Sequence, residues 1–388
     1  MANGQTEKNN LTNTEKPKRK FLFISWESLS GDLAWQIKKE GHEVKVFIKN
    51  EGNDKDKDVY EGFFFIFADW KKHTDWADVI VFDDIGFGKE ADALRKSGKA
   101  VVGGSTYTDR LEDDREFGQA EMKRLGMLTL ASFDFDNYDT ALEFIKNNPG
   151  RYVYKPSGFV PSDWRGLLFI AKEEDGKDLY EVLQQNKSII SKKIKQFQLQ
   201  KFVSGVEVGM SAFFNGNEFI TPILIAFEHK RLFPGELGPM TGEMGTSMFW
   251  AEPNKLFKET TGRMAEDLKK SGYVGYIDIN CIVNGRGIYP LEFTCRFGYP
   301  TISIQQEGVL SEWGEFLYEI SNNRPFNLKT KKGFQVGIVC VTPPFPYDDP
   351  SEMELYKDLS ILFKKPNIDG IHLGDVKIVD NIWRVAGS

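Results

Sequence analysis

The chain has 388 residues, with 50 lysine and arginine residues against 57 aspartate and glutamate residues, so its formal net charge is −7. With 40% hydrophobic and 28% charged residues, it excludes wholesale disorder and leaves room for two or three domains. No apolar run approaches the length of a membrane span, and the mild acidity gives no reason to expect a membrane or nucleic-acid partner. Cys281, Cys295 and Cys340 lack zinc or redox spacing, so we expect a cytoplasmic protein with reduced thiols.

Short apolar runs alternate with helical patterns in the first quarter of the chain. Residues 1–20 are polar, and they predict a disordered tail because they cannot bury enough apolar surface. Strands at 21–25, 43–48, 77–84 and 100–104, with helices between them, predict an N-terminal α/β domain with a parallel sheet over 21–108. Ligands of such sheets bind at the carboxyl ends of the strands, which places a candidate site at 25–31 and 83–88.

The pattern changes after residue 108. Helices over 113–127 and 138–150, followed by strands and hairpins, predict an α+β region over 109–328, with a lid subdomain at about 155–200. The frequent glycines of 227–250 predict a mobile loop without regular structure. Residues 329–388 are predicted to form a small β-rich domain. The expected fold class is therefore multidomain, α/β followed by α+β.

Two segments contain the residue types of a nucleotide site. Lys155 is the only charged side chain of the strand VYKPSG and precedes a loop with glycines, a combination that suits polyphosphate. The alternative is a solvated lysine at a sheet edge. In 200–207, a polar residue, an apolar stretch and the carboxylate of Glu207 could hold a purine edge and ribose hydroxyls, although any hairpin could supply them.

A third cluster has the chemistry of a magnesium site. Its four oxygen-bearing side chains occupy alternate positions of two consecutive predicted strands: Asp278, Asn280, Glu292 and Thr294. Side chains two apart share one face of a strand, so the four could converge. Together with phosphate oxygens they would suit Mg²⁺, whereas the alternative is a solvated hairpin face.

A fourth cluster is basic and lies in the glycine-rich segment. It consists of four consecutive charged or titratable residues: Glu228, His229, Lys230 and Arg231. A basic cluster beside glycines suggests an anion-handling loop. Taken alone, His229 is more often an ordinary surface histidine than a functional one.

The order of these clusters resembles phosphoribosylamine–glycine ligase (glycinamide ribonucleotide synthetase), an ATP-grasp enzyme of purine synthesis. EHKRLFPGELGPMTGEMGTSM is similar to the signature loop of that family, and LEFTCRFGYP to its metal-binding EFNxRFGDPE strand. LEDDREFGQAEMKRLGM, QLQKFVSGVEV and HLGDVKIVDNIWRVAGS resemble further segments of it, in the same order. The resemblance implies a parallel α/β domain, an ATP-grasp pair of lobes and a small C-terminal β-rich domain.

The resemblance also implies a reaction and roles for residues. ATP would phosphorylate a carboxylate, possibly of an amino acid, and an amine would attack the acylphosphate. The implied ATP contacts are Arg115, Lys155, Gln200, Lys201, Val203 and Glu207. The implied Mg²⁺ ligand is Glu292, helped by Asp278 or Asn280, with Mn²⁺ as an alternative ion. The residues implied to face the acceptor and the acylphosphate are Glu228, His229, Lys230 and Arg296.

The departures from the family pattern fall on substrate positions. The glycine-rich phosphate loop of the family is replaced by SWESLSGDLAW, where Glu27 and Asp32 would repel a phosphate. Met240, Thr294 and Tyr299 replace family polar residues, and the lid loop has become FVPSDWRG (159–166), with Arg165 as a possible replacement cation. The candidate substrate contacts are Ser25, Glu27, Ser30, Asp32, Thr241 and Gly242.

These departures predict a divergent ligase that joins another carboxylate to another amine. Two alternatives stay open. One is the family reaction itself, carried out with an unusual phosphate site. The other is a catalytically degenerate protein that binds a nucleotide or a partner.

Overall fold

A computed structural model describes residues 17–49, 58–64, 66, 69–157, 167–347, 355–365 and 367–386. Most of the predicted N-terminal tail lies outside the described residues. The lid loop 159–166 with Arg165 lies outside them as well. Within the described part, no helix is both long and apolar enough to cross a bilayer.

The N-terminal sheet is parallel, as predicted. Its strands are β1 (Lys20–Ser25), β2 (Glu43–Ile48), β3 (Val79–Phe82) and β4 (Val101–Val102), in the order β2-β1-β3-β4. Helices α1 (Gly31–Lys39) and α2 (Gly88–Lys96) connect them. Strands β1 and β3 are apolar and buried on both faces, the pattern of central parallel strands.

A four-stranded antiparallel sheet follows, with a core of its own. Its strands are β5 (Ser132–Phe135), β6 (Tyr152–Ser157), β7 (Phe169–Ile170) and β8 (Gln196–Lys201), in the order β5-β8-β6-β7. Helices α5 (Tyr138–Asn147) and α6 (Lys177–Lys193) pack beside it. The sheet therefore begins before the lid boundary expected near residue 155.

The largest sheet has six strands and is antiparallel. Its strands are β9 (Val206–Phe214), β10 (Phe219–Phe233), β11 (Leu237–Ala251), β12 (Gly275–Asn284), β13 (Gly287–Thr294) and β14 (Phe334–Ile338). Their order is β13-β12-β9-β10-β11-β14, so β14 of the last predicted domain lies at the edge of this sheet. A hairpin of β15 (Val376–Val379) and β16 (Ile382–Val385) contacts the N-terminal region, where the Tyr60 amide donates to the Val376 carbonyl. The predicted domain boundaries stay predictions.

The expectation of an irregular loop over 227–250 is wrong, because these residues form most of the β10–β11 hairpin. The glycines are accommodated where the ladder bends. Gly235 has φ +72° in the turn, and Gly238 has φ +80° beside register shifts in the pairing of β10 with β11. Bulges of this kind tolerate glycine without ending the strands, so glycine count alone misled the prediction.

The remaining helices connect the sheets. They are α3 (Thr106–Asp113), α4 (Arg115–Arg124), α7 (Lys255–Glu259), α8 (Ala265–Ser271), α9 (Thr301–Gly308) and α10 (Trp313–Ser321). The single helix predicted from residue 113 begins instead at Arg115, because Asp114 is its N-cap and accepts from the Phe117 amide. This cap places Arg115 at the first helical position, and α4 packs against β13 through Gln119, which donates to the Leu291 carbonyl.

Candidate active site

The candidate site lies where the four-stranded and six-stranded sheets face each other. Lys155 comes from the four-stranded side, on β6, and only 5% of it is exposed. Burial lowers the pKa of Lys155 to about 8, although the charge of Glu292 opposes this shift. A nearby anion strongly stabilises the charged form of a buried amine, because the anion replaces the hydration that the ammonium has lost.

The six-stranded side contributes oxygen ligands in the predicted register. Asn280 pairs with Glu292 across β12 and β13, and Asp278 pairs with Thr294. The Asn280 amide Nδ2 donates to Glu207 Oε1 at 2.7 Å, while its Oδ1 is buried and has no hydrogen-bond partner among the described residues. The strand register thus places the predicted residues opposite one another in two pairs, while their role as metal ligands stays a prediction.

Cationic side chains lie close to the carboxylates of this cluster and offset their negative charge. Arg115 Nη1 lies 3.5 Å from Glu292 Oε2. Partial burial would raise the pKa of Glu292, but the charges of Arg115 and Lys155 outweigh it, and the pKa is lowered. Glu292 is therefore held as a carboxylate, the form that a hard cation requires.

Lys230 lies between two glutamates. Its Nζ donates to Glu207 Oε1 at 2.6 Å and lies 3.4 Å from Glu228 Oε2. Burial lowers the pKa of Lys230, but the charges of Glu207 and Glu228 outweigh it and the pKa is raised. Burial raises the pKa of Glu228, and the charge of Lys230 opposes that shift. Lys230 is thus the cation that links β9 and β10 within the cluster.

The proposed adenine region has unsatisfied polar atoms. Gln198 and Gln200 on β8 are each 1% exposed, and Gln198 Oε1 and Gln200 Nε2 have no partner among the described residues. Lys201 uses its backbone amide to donate to the Ala131 carbonyl at 2.8 Å, and Val203 is partly exposed in the link to β9. Buried polar atoms without partners are rare in folded proteins, so these atoms are candidates to hydrogen-bond a ligand or water.

A cavity of about 400 Å³ extends from the metal-ligand candidates toward Arg296. Arg115, Glu292 and Arg296 all line it. Arg296 does not face the cluster of Lys230; its Nε donates to Glu112 Oε1 at 3.1 Å and lies 3.9 Å from Asp84 Oδ1. Glu112 also accepts from the Cys295 amide at 2.7 Å. No local pattern singles out Glu112, because its partners Cys295 and Arg296 lie more than 180 residues away in the chain.

The loop that would replace the family phosphate cradle is acidic and already hydrogen-bonded. Ser30 donates to Asp83 Oδ2 through both its amide, at 2.9 Å, and its hydroxyl, at 2.7 Å. Ser25 accepts from the Ser28 amide, and Glu27 is exposed at the rim. The donors that a phosphate would need at the start of α1 are therefore partly engaged by a buried carboxylate.

Asp32 is committed to a buried structural network instead of facing open solvent. It accepts from Gln306 Nε2 at 2.6 Å, lies 3.1 Å from Ser303 Oγ and contacts His372 Nδ1 at 2.7 Å. Its exposure is 4%. These contacts join α1 to α9 and to the C-terminal segment, so Asp32 holds these three parts of the chain together.

Three further candidates are separate from the charge cluster. A ring nitrogen of His229 is 3.1 Å from the Phe233 carbonyl, and the other is 3.4 Å from Glu236. Thr241 donates its hydroxyl to the Lys230 carbonyl at 2.7 Å. Gly242 is exposed with open space around its Cα. The structure does not bring these three together with Lys155 and Glu292.

Two further acids lie in the site with raised pKa values: Asp278, which was predicted, and Glu243, which was not. Asp278 accepts from Ser211 Oγ at 2.5 Å, and burial raises its pKa to about 7. Glu243 on β11 is hydrogen-bonded to Thr246, and burial, together with the charge of Glu228, raises its pKa to about 9. Glu243 lies in the glycine-rich stretch, outside the buried alternation of Met244, Thr246 and Met248, so no local pattern singled it out.

The oxygen donors of the cluster fit a metal ion that also binds phosphate oxygens. Among the described residues, no group of three or more His, Cys, Asp or Glu side chains is placed to hold an ion by itself. Asn280 Oδ1 and the Glu292 carboxylate are hard oxygen donors, and the first has no protein partner. Mg²⁺ commonly takes one or two protein oxygens and completes its shell with phosphates and water, so these residues fit Mg²⁺ bound with a polyphosphate.

Comparison with known proteins agrees with this geometry. Residues 113–302 match the family model described as Phosphoribosylglycinamide synthetase, ATP-grasp (A) domain. The phosphoribosylamine–glycine ligase of Streptococcus pneumoniae strain R6 is 26% identical over 278 residues, which are 68% of this chain and 64% of that protein. The chain thus spans less than two thirds of the length of this relative.

Solved structures share the fold. The phosphoribosylamine–glycine ligase of Thermotoga maritima superposes with a TM-score of 0.69 at 22% identity, covering 95% of this chain and 90% of that chain. The biotin carboxylase domain of the Hydrogenobacter thermophilus 2-oxoglutarate carboxylase, solved with MgADP, has a TM-score of 0.56 at 12% identity and covers 83% of this chain and 74% of that chain.

Residues 113–302 match an ATP-grasp domain, and the two sheets that meet at the cluster of lysine, arginine and carboxylate side chains have the fold of that domain. The predicted fold class is confirmed. Among the proteins compared, the chain is similar to phosphoribosylamine–glycine ligases, at the low identity expected of a divergent relative.

Proposed function

We propose that the protein is an ATP-dependent carboxylate–amine ligase that works through an acylphosphate, in the cytoplasm. The observation that carries the proposal is the charge cluster shared by the two sheets. Lys155 from one sheet interacts electrostatically with Glu292 and Lys230 from the other, and Arg115 lies beside Glu292. Three cations at one point suit the phosphates of a nucleotide, whose negative charge would offset their mutual repulsion.

The chemistry follows from this arrangement. A carboxylate oxygen of the first substrate would attack the γ-phosphorus of ATP, and the bond to the bridging oxygen of ADP would break. The amine of the second substrate would then attack the acyl carbon, inorganic phosphate would leave, and the amine nitrogen would lose a proton. Lys155, Arg115 and Lys230 would hold the transferred phosphoryl group in place and stabilise its charge.

A magnesium ion would neutralise charge on the phosphates during transfer. Glu292 and Asn280 are the residues that would hold it, because Glu292 is kept ionised and Asn280 Oδ1 has no partner among the described residues. Asp278 is less suited, since it is bonded to Ser211 and its pKa is raised to about 7 by burial. Gln200 and the backbone of 201–203 would contact adenine, and Glu207 the ribose.

The acceptor is proposed to differ from a phosphorylated sugar amine. Asp83 already accepts both donors of Ser30, and Asp84 lies beside Arg296. Burial raises the pKa of Asp84 to about 7, although Arg296 opposes this shift. A phosphate placed here would lose donors to Asp83 and meet further carboxylates, whereas a neutral or cationic amine would not. Carboxylate and amine substrates without phosphate are therefore favoured.

The family reaction is the second candidate, favoured by the 26% identity to a phosphoribosylamine–glycine ligase. Complementation of a purine auxotroph lacking that ligase separates the two. Growth would support the family reaction and contradict the altered acceptor. Failure to grow, with the chain expressed and folded, would remove the family reaction.

The deciding experiment for the ligase proposal is ADP release by the full chain, screened against amino acids crossed with amines. Hydroxylamine is included because it traps an acylphosphate as a hydroxamate when the natural amine is missing. We expect ADP release that depends on a carboxylate and is lost in Lys155→Met. Nucleotide binding without ADP release against the whole panel would instead indicate the catalytically degenerate alternative.

A further inference from the structure

A second cavity, of about 700 Å³, lies between α2, α3 and α8. Its lining shares no residue with the cavity of Arg115 and Glu292. Five of the lining side chains are cationic: Arg95, Lys96, Arg110, Lys269 and Lys270. The lining is therefore locally basic, although the chain as a whole has a net charge of −7.

The one acidic side chain in the lining is already engaged. Asp92 Oδ2 accepts from the amide of Thr106 at 3.1 Å and from its hydroxyl at 2.7 Å. Asp92 Oδ1 lies 3.6 Å from Arg95 Nη1. The carboxylate therefore ties α2 to α3 and offsets at most one of the five positive charges.

The lysines of the rim are available to a ligand. The side-chain amines of Lys96 and Lys269 make no hydrogen bond or ion pair with any residue that the structure describes, and both residues are exposed. Lys270 is 3.9 Å from Asp267, which Arg124 contacts at 2.7 Å. Arg95 lines the cavity as well, but its Nη1 and Nη2 donate to the Gly104 and Gly103 carbonyls at 2.5 Å, so it adds positive charge more than free donors.

Aromatic rings form part of the same wall. Tyr107 and Phe117 pack edge to face with their centroids 6.0 Å apart, and both line the cavity. The Arg110 guanidinium carbon lies 3.8 Å from the centre of the Phe117 ring. Arg110 is thereby held at the cavity by stacking, and although its Nη2 lies 3.5 Å from Asp114 Oδ2, its other guanidinium donors remain for a ligand.

We infer that this cavity is a binding site for a small molecule with two or more phosphate groups. Exposed lysines supply charge for several phosphate oxygens, and Arg110 supplies a planar pair of donors. The site is separate from the proposed ATP site and does not depend on the ligase proposal. It adjoins the candidate active site through α3, since Arg110 and Glu112 lie on the same helix.

The test is calorimetric titration of inorganic pyrophosphate into the full chain carrying Lys155→Met, which weakens the proposed ATP site. We expect saturable binding that weakens as ionic strength rises. Adding Lys269→Glu and Lys270→Glu should lower the affinity by about tenfold or more, because two attractive charges become repulsive. Circular dichroism confirms that each variant is folded.

The matched control adds Lys192→Glu and Lys193→Glu, an exposed pair at the end of α6 that makes the same change in net charge away from the cavity. We expect this control to change the affinity by no more than about twofold. Equal losses in the two double-charge variants, an unchanged affinity when 269 and 270 are reversed, or no binding at millimolar pyrophosphate would each overturn the inference.

Discussion

Replacing Lys155 with methionine is expected to stabilise the ligand-free protein while it weakens nucleotide binding. Only 5% of Lys155 is exposed, and burial lowers its pKa from an ordinary value of 10.5 to about 8. That difference corresponds to about 3 kcal/mol by which the buried ammonium opposes folding at neutral pH. Methionine fills a similar volume without charge, so Lys155→Met should raise the free energy of unfolding by about 2–3 kcal/mol.

The same difference in pKa determines how the stability gain of Lys155→Met depends on pH. Since the folded-state pKa of Lys155 lies below its unfolded-state value, the unfolded chain binds more protons between about pH 8 and 10.5. The stability of the wild type therefore rises relative to the variant across that window. The advantage of Lys155→Met should be full below about pH 8 and should shrink above it.

The assay is urea unfolding at about pH 7 and about pH 9.5, without nucleotide and then with a magnesium complex of a non-hydrolysable ATP analogue. Lys332→Met is the matched control, because Lys332 is exposed and has no ion pair among the described residues. The control should leave stability within about 0.5 kcal/mol. If Lys155→Met is no more stable than wild type at pH 7, the buried charge of Lys155 does not oppose folding. If the ATP analogue stabilises the variant as strongly as it stabilises wild type, Lys155 does not contact the nucleotide.

Three further outcomes are expected. Glu292→Gln should lower magnesium-dependent ADP release by about 100-fold or more, measured by coupled assay, because it removes the ionised oxygen ligand; unchanged turnover would contradict the metal assignment. His229→Ala should leave that rate within about threefold, while Lys230→Ala should lower it by about 100-fold, since only Lys230 lies in the charge cluster. Burial lowers the pKa of His372, but its bond to Asp32 outweighs this and raises it. The stabilisation by His372 is therefore full below pH 6.5 and is lost as the pH rises through its folded-state pKa. Denaturant titrations should show His372→Gln to be least stable relative to wild type at about pH 5.5, by about 1 kcal/mol. A deficit that grows with pH would contradict this.

The parts of the fold that could be predicted are those whose signal is local. Strands β1 and β3 are continuous apolar runs, and their burial on both faces follows directly. The meeting of Asn280 with Glu292 was predictable because alternation and a short turn fix the register of β12 against β13. Lys155 stood out because a lone charge in an apolar strand requires a partner.

The parts that could not be predicted depend on contacts between distant residues. Glu112 and Arg296 are 184 residues apart, and nothing in either local pattern selects the other. Asp32 is a predicted substrate contact, but its bonds to Gln306 and His372 bury it between α1, α9 and the C-terminal segment. The β10–β11 hairpin was missed because local glycine frequency outweighed the alternation of apolar side chains, whereas cross-strand pairing decides the outcome.

The most direct test of the central claim is calorimetric titration of the magnesium complex of a non-hydrolysable ATP analogue into the full chain, compared with Glu292→Gln. We expect one saturable site per chain, whose affinity needs the divalent ion and falls by about tenfold or more in the variant. Absence of any uptake of adenine nucleotide by the folded wild type with magnesium present, or binding that ignores both the ion and Glu292, would contradict it.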